Sequence, residues 1–264
     1  STLMRSSAAS DVYKRQEIKL AAPAGAKLTQ SACSLLHGVL MEHIDSTYAE
    51  LLHQQSLRPY SQYLYFDKER DSVYWRLTAL NKQADDELLG AAFSLPATVY
   101  LKKKQMEVQL VSKEYLKETS YAEIAEKCFA QPLAGKYLSC SFLTSCSFKS
   151  EGQYVIFPQP QFLLGSLVKR WNSFADKERL DALGLAQDLA QETYVADYKL
   201  SLHSFSVDGA RIPAFRGLYV LGMKNNVMCN RIIAMLGEYA NYSGIGIKTA
   251  LGMGAVKTSL NERF

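Results

Sequence analysis

The 264-residue chain is 48% hydrophobic and 21% charged, with a formal net charge of +4. That apolar share can bury one large domain or two of ordinary size, while no apolar run nears the ~20 residues of a membrane-spanning helix. The five cysteines are odd in number and include no C-x-x-C pair, which argues against a disulfide framework or a zinc site and suits a reducing cytoplasm.

Residues 1–16 show neither an apolar period nor the apolar core of a signal peptide. They read as a non-native leader outside the fold, which would make Arg5, Lys14 and Arg15 against Asp11 incidental to the net charge. Alternation over residues 17–22 predicts a first strand, ended by Pro23-Ala-Gly25. Leu35, Leu36, Val39, Leu40 and Ile44 recur at helical spacing and predict a helix over 31–45, followed by a shorter helical piece over 48–53. Strands are expected at 60–66 and 73–80 around a charged turn, then a short helix over 85–93 opened by acidic residues. Two further strands, 99–101 and 108–111, complete the order β-α-β-β-α-β, which is the ferredoxin-like arrangement.

A polar stretch from Glu114 to Pro132 holds the expected boundary between a first domain, 17–125, and a second, 126–264. In the second, residues 137–143 and 154–157 predict a hairpin and 159–175 a helix with Leu163, Leu167, Arg170, Trp171 and Phe174 on one side. The acidic stretch 176–191 reads as a solvent-side helix, 194–207 and 214–221 as strands around Asp208-Gly209, and 225–240 as a helix. Allowing for an insertion, this is a second β-α-β-β-α-β order. The fold class is therefore α+β, two tandem ferredoxin-like (RRM-like) domains, inferred from element order because the halves share no clear sequence repeat.

Charge is uneven along the chain. From Lys199 to Thr258 seven basic residues (Lys199, Arg211, Arg216, Lys224, Arg231, Lys248 and Lys257) stand against Asp208 and Glu238, a net +5 that exceeds the whole chain's +4. A localised basic face suits a phosphate backbone, although an ordinary solvated surface has the same composition.

Within that portion, residues 242–254 hold Gly244, Gly246, Gly252 and Gly254. Such density frees the backbone for positive φ and lets main-chain N–H groups face a phosphate. The spacing is not that of a Walker loop, since Ile247 precedes Lys248-Thr249, nor of a dinucleotide loop, since Thr249 stands where a third glycine is needed. Preceded by a helix and followed by a strand, the segment Gly-Ile-Gly-Ile-Lys-Thr-Ala-Leu-Gly-Met-Gly resembles the loop that closes the Cas6 family of CRISPR RNA-processing endoribonucleases, in the RAMP superfamily. The resemblance covers residues 17–258.

Of the four histidines, His37 lies at the edge of an inward helical stripe and reads as a packed core residue. His43 falls near a helix C-terminus, where the macrodipole favours its charged form, so capping and catalysis are both open to it. His53 leaves a packed helical turn for the polar Gln54-Gln55-Ser56, anchored yet accessible, and His203 sits in a strand without local partners. The segment 51–61 also resembles the Cas6 stretch in which a Leu-His histidine acts in catalysis. The resemblance implies metal-independent RNA cleavage by 2′-hydroxyl attack, leaving a 2′,3′-cyclic phosphate and a 5′-hydroxyl. It assigns proton transfer to His53 and phosphate stabilisation to Arg58. Where relatives carry a tyrosine on the first helix this chain aligns Met41, and where they carry a lysine it has Arg58, so His43 or Tyr48 is left as the second proton carrier.

RNA binding is then expected from Gly244, Gly246, Lys248, Thr249, Gly252 and Gly254, with Arg216, Arg231 and Lys257, and bases stacking on exposed tyrosines. No cofactor or metal is expected, the run Asp85-Asp86-Glu87 reading as a charged helix start. The implied partner is the repeat of precursor CRISPR RNA, with a CRISPR effector complex and a homodimer as further candidates and no membrane. Two rivals stand beside this reading: a non-catalytic RNA-binding RAMP subunit of an effector complex, and a small-molecule enzyme on the same repeats, for which no motif is present.

Overall fold

Ile18 and Leu20 point inward from β1 (Val12–Ala21), the central strand of a five-stranded antiparallel sheet. The computed structural model describes residues 12–207 and 209–263. The first sheet runs β2-β3-β1-β5-β4, with β2 (Tyr60–Asp67), β3 (Ser72–Ala79), β4 (Thr98–Leu101) and β5 (Met106–Ser120). Helices α1 (Ala32–Met41) and α2 (Ser46–Gln54) cover it, and Leu36, Leu40 and Leu52 share a core with Ile18, Trp75 and Leu77. Asp45 starts α2 by accepting the N–H groups of Thr47 and Tyr48, which the helix leaves unpaired.

The second strand-helix passage is irregular. Asn81 caps α3 (Lys82–Ala84), which runs through a π-turn (Asp85–Leu89) into α4 (Gly90–Ser94). The helical segment thus begins three residues before the acidic run. Asp85 does not open it: the residue is buried and paired with Lys14 at 2.8 Å.

That pair corrects the reading of the leader. Strand β1 starts at Val12 and pairs on both sides, Lys14 opposite Ala79 of β3 and Glu118 of β5. Residues 12–16 show no apolar alternation and 14–16 are polar, but a strand between two neighbours needs backbone partners more than an apolar period. Residues 1–11 lie outside the described part of the chain, as does Asp208.

The second unit has sheet order β11-β6-β10-β9, from β6 (Tyr137–Cys146), β9 (Thr193–Val207), β10 (Ala210–Met223) and β11 (Val256–Asn261). It is covered by α5 (Tyr121–Ala130), α6 (Pro160–Phe174), α7 (Leu185–Gln191) and α8 (Val227–Ser243). The expected hairpin is differently composed. Strand β8 (Gln153–Val155) pairs with β7 (Phe148–Ser150) as a separate two-stranded flap, while β6 pairs with β10 and β11. Of the stretch 176–191 only α7 is helical, and its Leu189 is buried.

The passage between the units falls at Ser120. There a capping box with Glu123 ends β5 and opens α5, whose Tyr121 packs edge-to-face on Trp171 at 4.8 Å in the second core. No helix among the described residues is long and apolar enough to cross a membrane.

Candidate active site

The glycine segment after α8 is the joint between the two units. Ala250 enters the first core, and Leu251 and Met253 pack with Phe205 and Ile212 of the β9–β10 hairpin. The first unit holds the segment through two glutamines, one buried and one half-buried: Gln62 Nε2 donates to the Ala250 carbonyl at 2.6 Å, and Gln30 Nε2 to that of Gly252 at 3.1 Å. Trp75 Nε1 in turn donates to Gln62 Oε1 at 2.7 Å, fixing the amide's orientation.

Close backbone contact, more than phosphate access, explains two of the glycines. At Gly254 (φ +68°) a Cβ would lie 1.9 Å from the Ile245 carbonyl oxygen, and at Gly246 (φ +83°) 2.4 Å from that of Ser147. The amides there are already used. Ile245 N–H donates to Gly254 O, Gly246 N–H to Ser166 Oγ, Ile247 N–H to Ser147 O and Gly254 N–H to Ser145 O, at 2.8–3.0 Å. The expectation of a glycine cradle therefore narrows to residues 248–250, whose amides bond to no described residue. Lys248 holds φ +53°, uncommon for a residue with a side chain, and is the exposed residue of this turn. Thr249 is buried with its methyl toward Gly244.

Opposite that turn stands Arg58, after α2. Its Nε donates to the carbonyl of Leu52 at 3.1 Å and its Nη1 to His37 Nε2 at 3.3 Å. Arg58, Lys248 and Arg170 line one cavity of about 130 Å³ together with Gln55, Ser56 and the backbone at 249–251. His37 is buried as expected, but it is tied into this cluster. Its Nδ1 lies 2.6 Å from Tyr60 Oη, so the ring is held from both sides.

Arg170 was legible only as one residue of a helical stripe. It is 3% exposed, and its Nη2 donates to the Gly246 carbonyl at 3.1 Å while Nε and Nη1 have no acceptor. Burial pushes its pKa down to about 10, so it stays charged at neutral pH beneath the glycine turn. An arginine at an inward position of an otherwise apolar helix face is the signal that could have singled it out.

His53 ends α2 exposed to solvent, one residue after the carbonyl that Arg58 holds. It does not line the cavity. His43 lies just past the end of α1, where its Nδ1 bonds the Val39 carbonyl at 2.8 Å, a capping position, and it does not line the cavity. Tyr48 is buried with its hydroxyl unpaired and its pKa raised by desolvation, and Met41 packs half-buried on the first core; neither lines the cavity.

Arg231 also has a structural post: its Nη1 donates to the carbonyls of Cys128, Phe129 and Gln131 at the end of α5. Arg216 lines a different cleft of about 480 Å³ between the sheets, near Tyr63, Tyr65 and Arg76. Lys257 is exposed on β11.

A family model described as "CRISPR-associated endoribonuclease Cas6" matches residues 140–256. A protein of that name from Mycobacterium tuberculosis (strain CDC 1551 / Oshkosh) is 31% identical over 226 residues, which are 84% of this chain and 70% of the relative. Another from Streptococcus thermophilus is 30% identical over 86% of this chain and 90% of the relative. Among solved structures, a Cas6 product complex superposes with a TM-score of 0.78 at 18% identity, covering 94% of this chain and 99% of the other.

Proposed function

This chain belongs to the Cas6 family of CRISPR-associated endoribonucleases, and we propose that it cuts precursor CRISPR RNA within its repeats without a metal ion. In that reaction a ribose 2′-hydroxyl attacks the adjacent phosphorus, forming O2′–P as P–O5′ breaks. The 2′-hydroxyl proton leaves to a base, and the departing O5′ takes one up. The products are a 2′,3′-cyclic phosphate and a 5′-hydroxyl.

One observation carries the reading. Arg58 of the first unit and Lys248 of the second line a single cavity beside the helix end that presents His53. Two cations there oppose the charge of a phosphorane, and the exposed imidazole of His53, one residue past the carbonyl that Arg58 holds, is suited to proton transfer. His37 and Tyr60 act through Arg58, as positioning residues. The amides of residues 248–250 offer further donors to phosphate oxygens. Repeat RNA as the partner is supported by the likeness to a Cas6 product complex. The non-catalytic subunit reading is disfavoured by the curated relatives, which are named as endoribonucleases.

The test is cleavage of a labelled repeat RNA in EDTA by the parent and by His53→Ala, repeated with the 2′-hydroxyl removed at the cut. Cutting by the parent that both changes abolish, with binding retained, is the expected result. Cleavage that survives His53→Ala would remove the histidine from the mechanism, and cleavage that stops in EDTA would remove the metal-free pathway.

A further inference from the structure

A second cavity, of about 640 Å³, opens on the other side of the glycine turn. Its walls are α6, the β7–β8 flap and residues 246–248, and none of its lining residues is a carboxylate. Four cations line it: Lys149 from the flap, Lys169 and Arg170 from α6, and Lys248 from the turn. The three lysines are not paired with any described carboxylate. Apolar surface comes from Phe148 and Phe162, stacked at 6.0 Å, and from Tyr154, which is 40% exposed. Ser56, Arg170 and Lys248 also line the Arg58 cavity, so the two spaces adjoin through these three residues.

Four cations without a carboxylate among the lining residues favour an anion, and the buried Arg170 has two N–H groups that no described residue accepts. Aromatic walls beside phosphate-binding cations suit an unstacked base with its backbone, since every base has a π-face. A cavity of this volume is in the range that takes a small ligand.

We propose that this cavity is a nucleotide subsite that holds one unpaired nucleotide of the RNA adjoining the scissile phosphate, its backbone on Lys149 and Lys169 and its base against Tyr154. The assignment rests on the RNA-cleaving function proposed above. The flap, which lies outside the β-α-β-β-α-β order, supplies Lys149 and Tyr154, so it is the element that adapts the domain to this nucleotide.

The test is a cycle in the His53→Ala background, so that RNA survives the binding measurement. Single abasic sites are scanned through the unpaired positions of the repeat, with and without Tyr154→Ala. At one position the abasic site weakens binding about tenfold, Tyr154→Ala does the same, and the two together cost no more than either alone. Lys149→Ala with Lys169→Ala lowers the slope of log affinity against log salt by about 1.4, the share of two single-strand phosphates. Both side chains are exposed, so thermal unfolding checks that the fold is kept. Additive losses at every position, or an unchanged salt slope, overturn the subsite. If the parent cuts the RNA normally while the cycle is additive, only the subsite falls; if the parent neither binds nor cuts any matching repeat, the proposed function falls with it.

Discussion

Arg58 Nη1 lies 3.3 Å from His37 Nε2, and because a guanidinium can only donate, this contact selects the imidazole's tautomer. Nε2 accepts, so Nδ1 carries the proton and donates to Tyr60 Oη at 2.6 Å. Arg58 is thereby held at two points, the second being the Leu52 carbonyl, and it lines the cavity. Lysine has one terminal nitrogen and cannot span these acceptors while also meeting a phosphate. Arg58→Lys is expected to slow single-turnover cleavage at least tenfold with a smaller loss in RNA affinity. Equal losses in both would make Arg58 a binding residue only.

Gly254 admits no side chain. An alanine there would carry φ +68° and meet the Ile245 carbonyl at 1.9 Å. Gly254→Ala is expected to destabilise the protein by more than ~3 kcal/mol or prevent folding. By contrast, Gly25→Ala has φ +80° but open space around it, and should cost about 1 kcal/mol. Thermal unfolding of the two variants separates backbone strain from steric exclusion.

The first strand reaches across the joint. Arg15 Nη2 donates to the Asn241 carbonyl at 2.5 Å, and its guanidinium lies 4.5 Å from the Tyr242 ring centroid, so β1 clamps the end of α8. A chain starting at Glu17 is therefore expected to unfold several degrees below one starting at Val12, and Arg15→Ala to reproduce part of that drop. Equal melting temperatures would show that residues 12–16 do not contribute.

Burial of Cys140 pushes its thiol up to about 12 from 9.0. The unfolded chain ionises first as pH rises, so the stabilising contribution is complete below pH 9 and declines between 9 and 12, by about 1.4 kcal/mol per unit. Urea midpoints should fall more steeply with pH above 9 for the parent than for Cys140→Ala. At neutral pH a thiol reagent should modify Cys229 first, since the other four cysteines are buried.

Arg170 sets stability against binding. A charged group buried with two unsatisfied donors is costly, and an apolar residue of similar length is often neutral or better. Arg170→Met should leave the unfolding free energy within about 1 kcal/mol of the parent or raise it, while weakening RNA binding at least tenfold. A large loss of stability would show that the Gly246 contact is the main role of Arg170.

The sequence alone determined the architecture. Apolar residues at period two and 3.6 marked the strands and helices, and their order named the double ferredoxin-like fold, because those periods are local and survive without knowledge of partners. The glycine segment and the histidine segment were equally legible, since each is a continuous string whose resemblance to a family needs no contacts. What only the tertiary structure decided depends on distant residues meeting. It joined His37 to Arg58 and Tyr60 across 21 and 23 residues of chain. It turned the glycines from a phosphate cradle into a tight joint between domains, and gave Arg231 and His43 structural posts at helix ends. It also drew residues 12–16 into a central strand that their lack of apolar alternation concealed. Hydrogen bonds and buried charges are set by which surfaces face each other, and periodicity along one segment carries no record of what lies opposite.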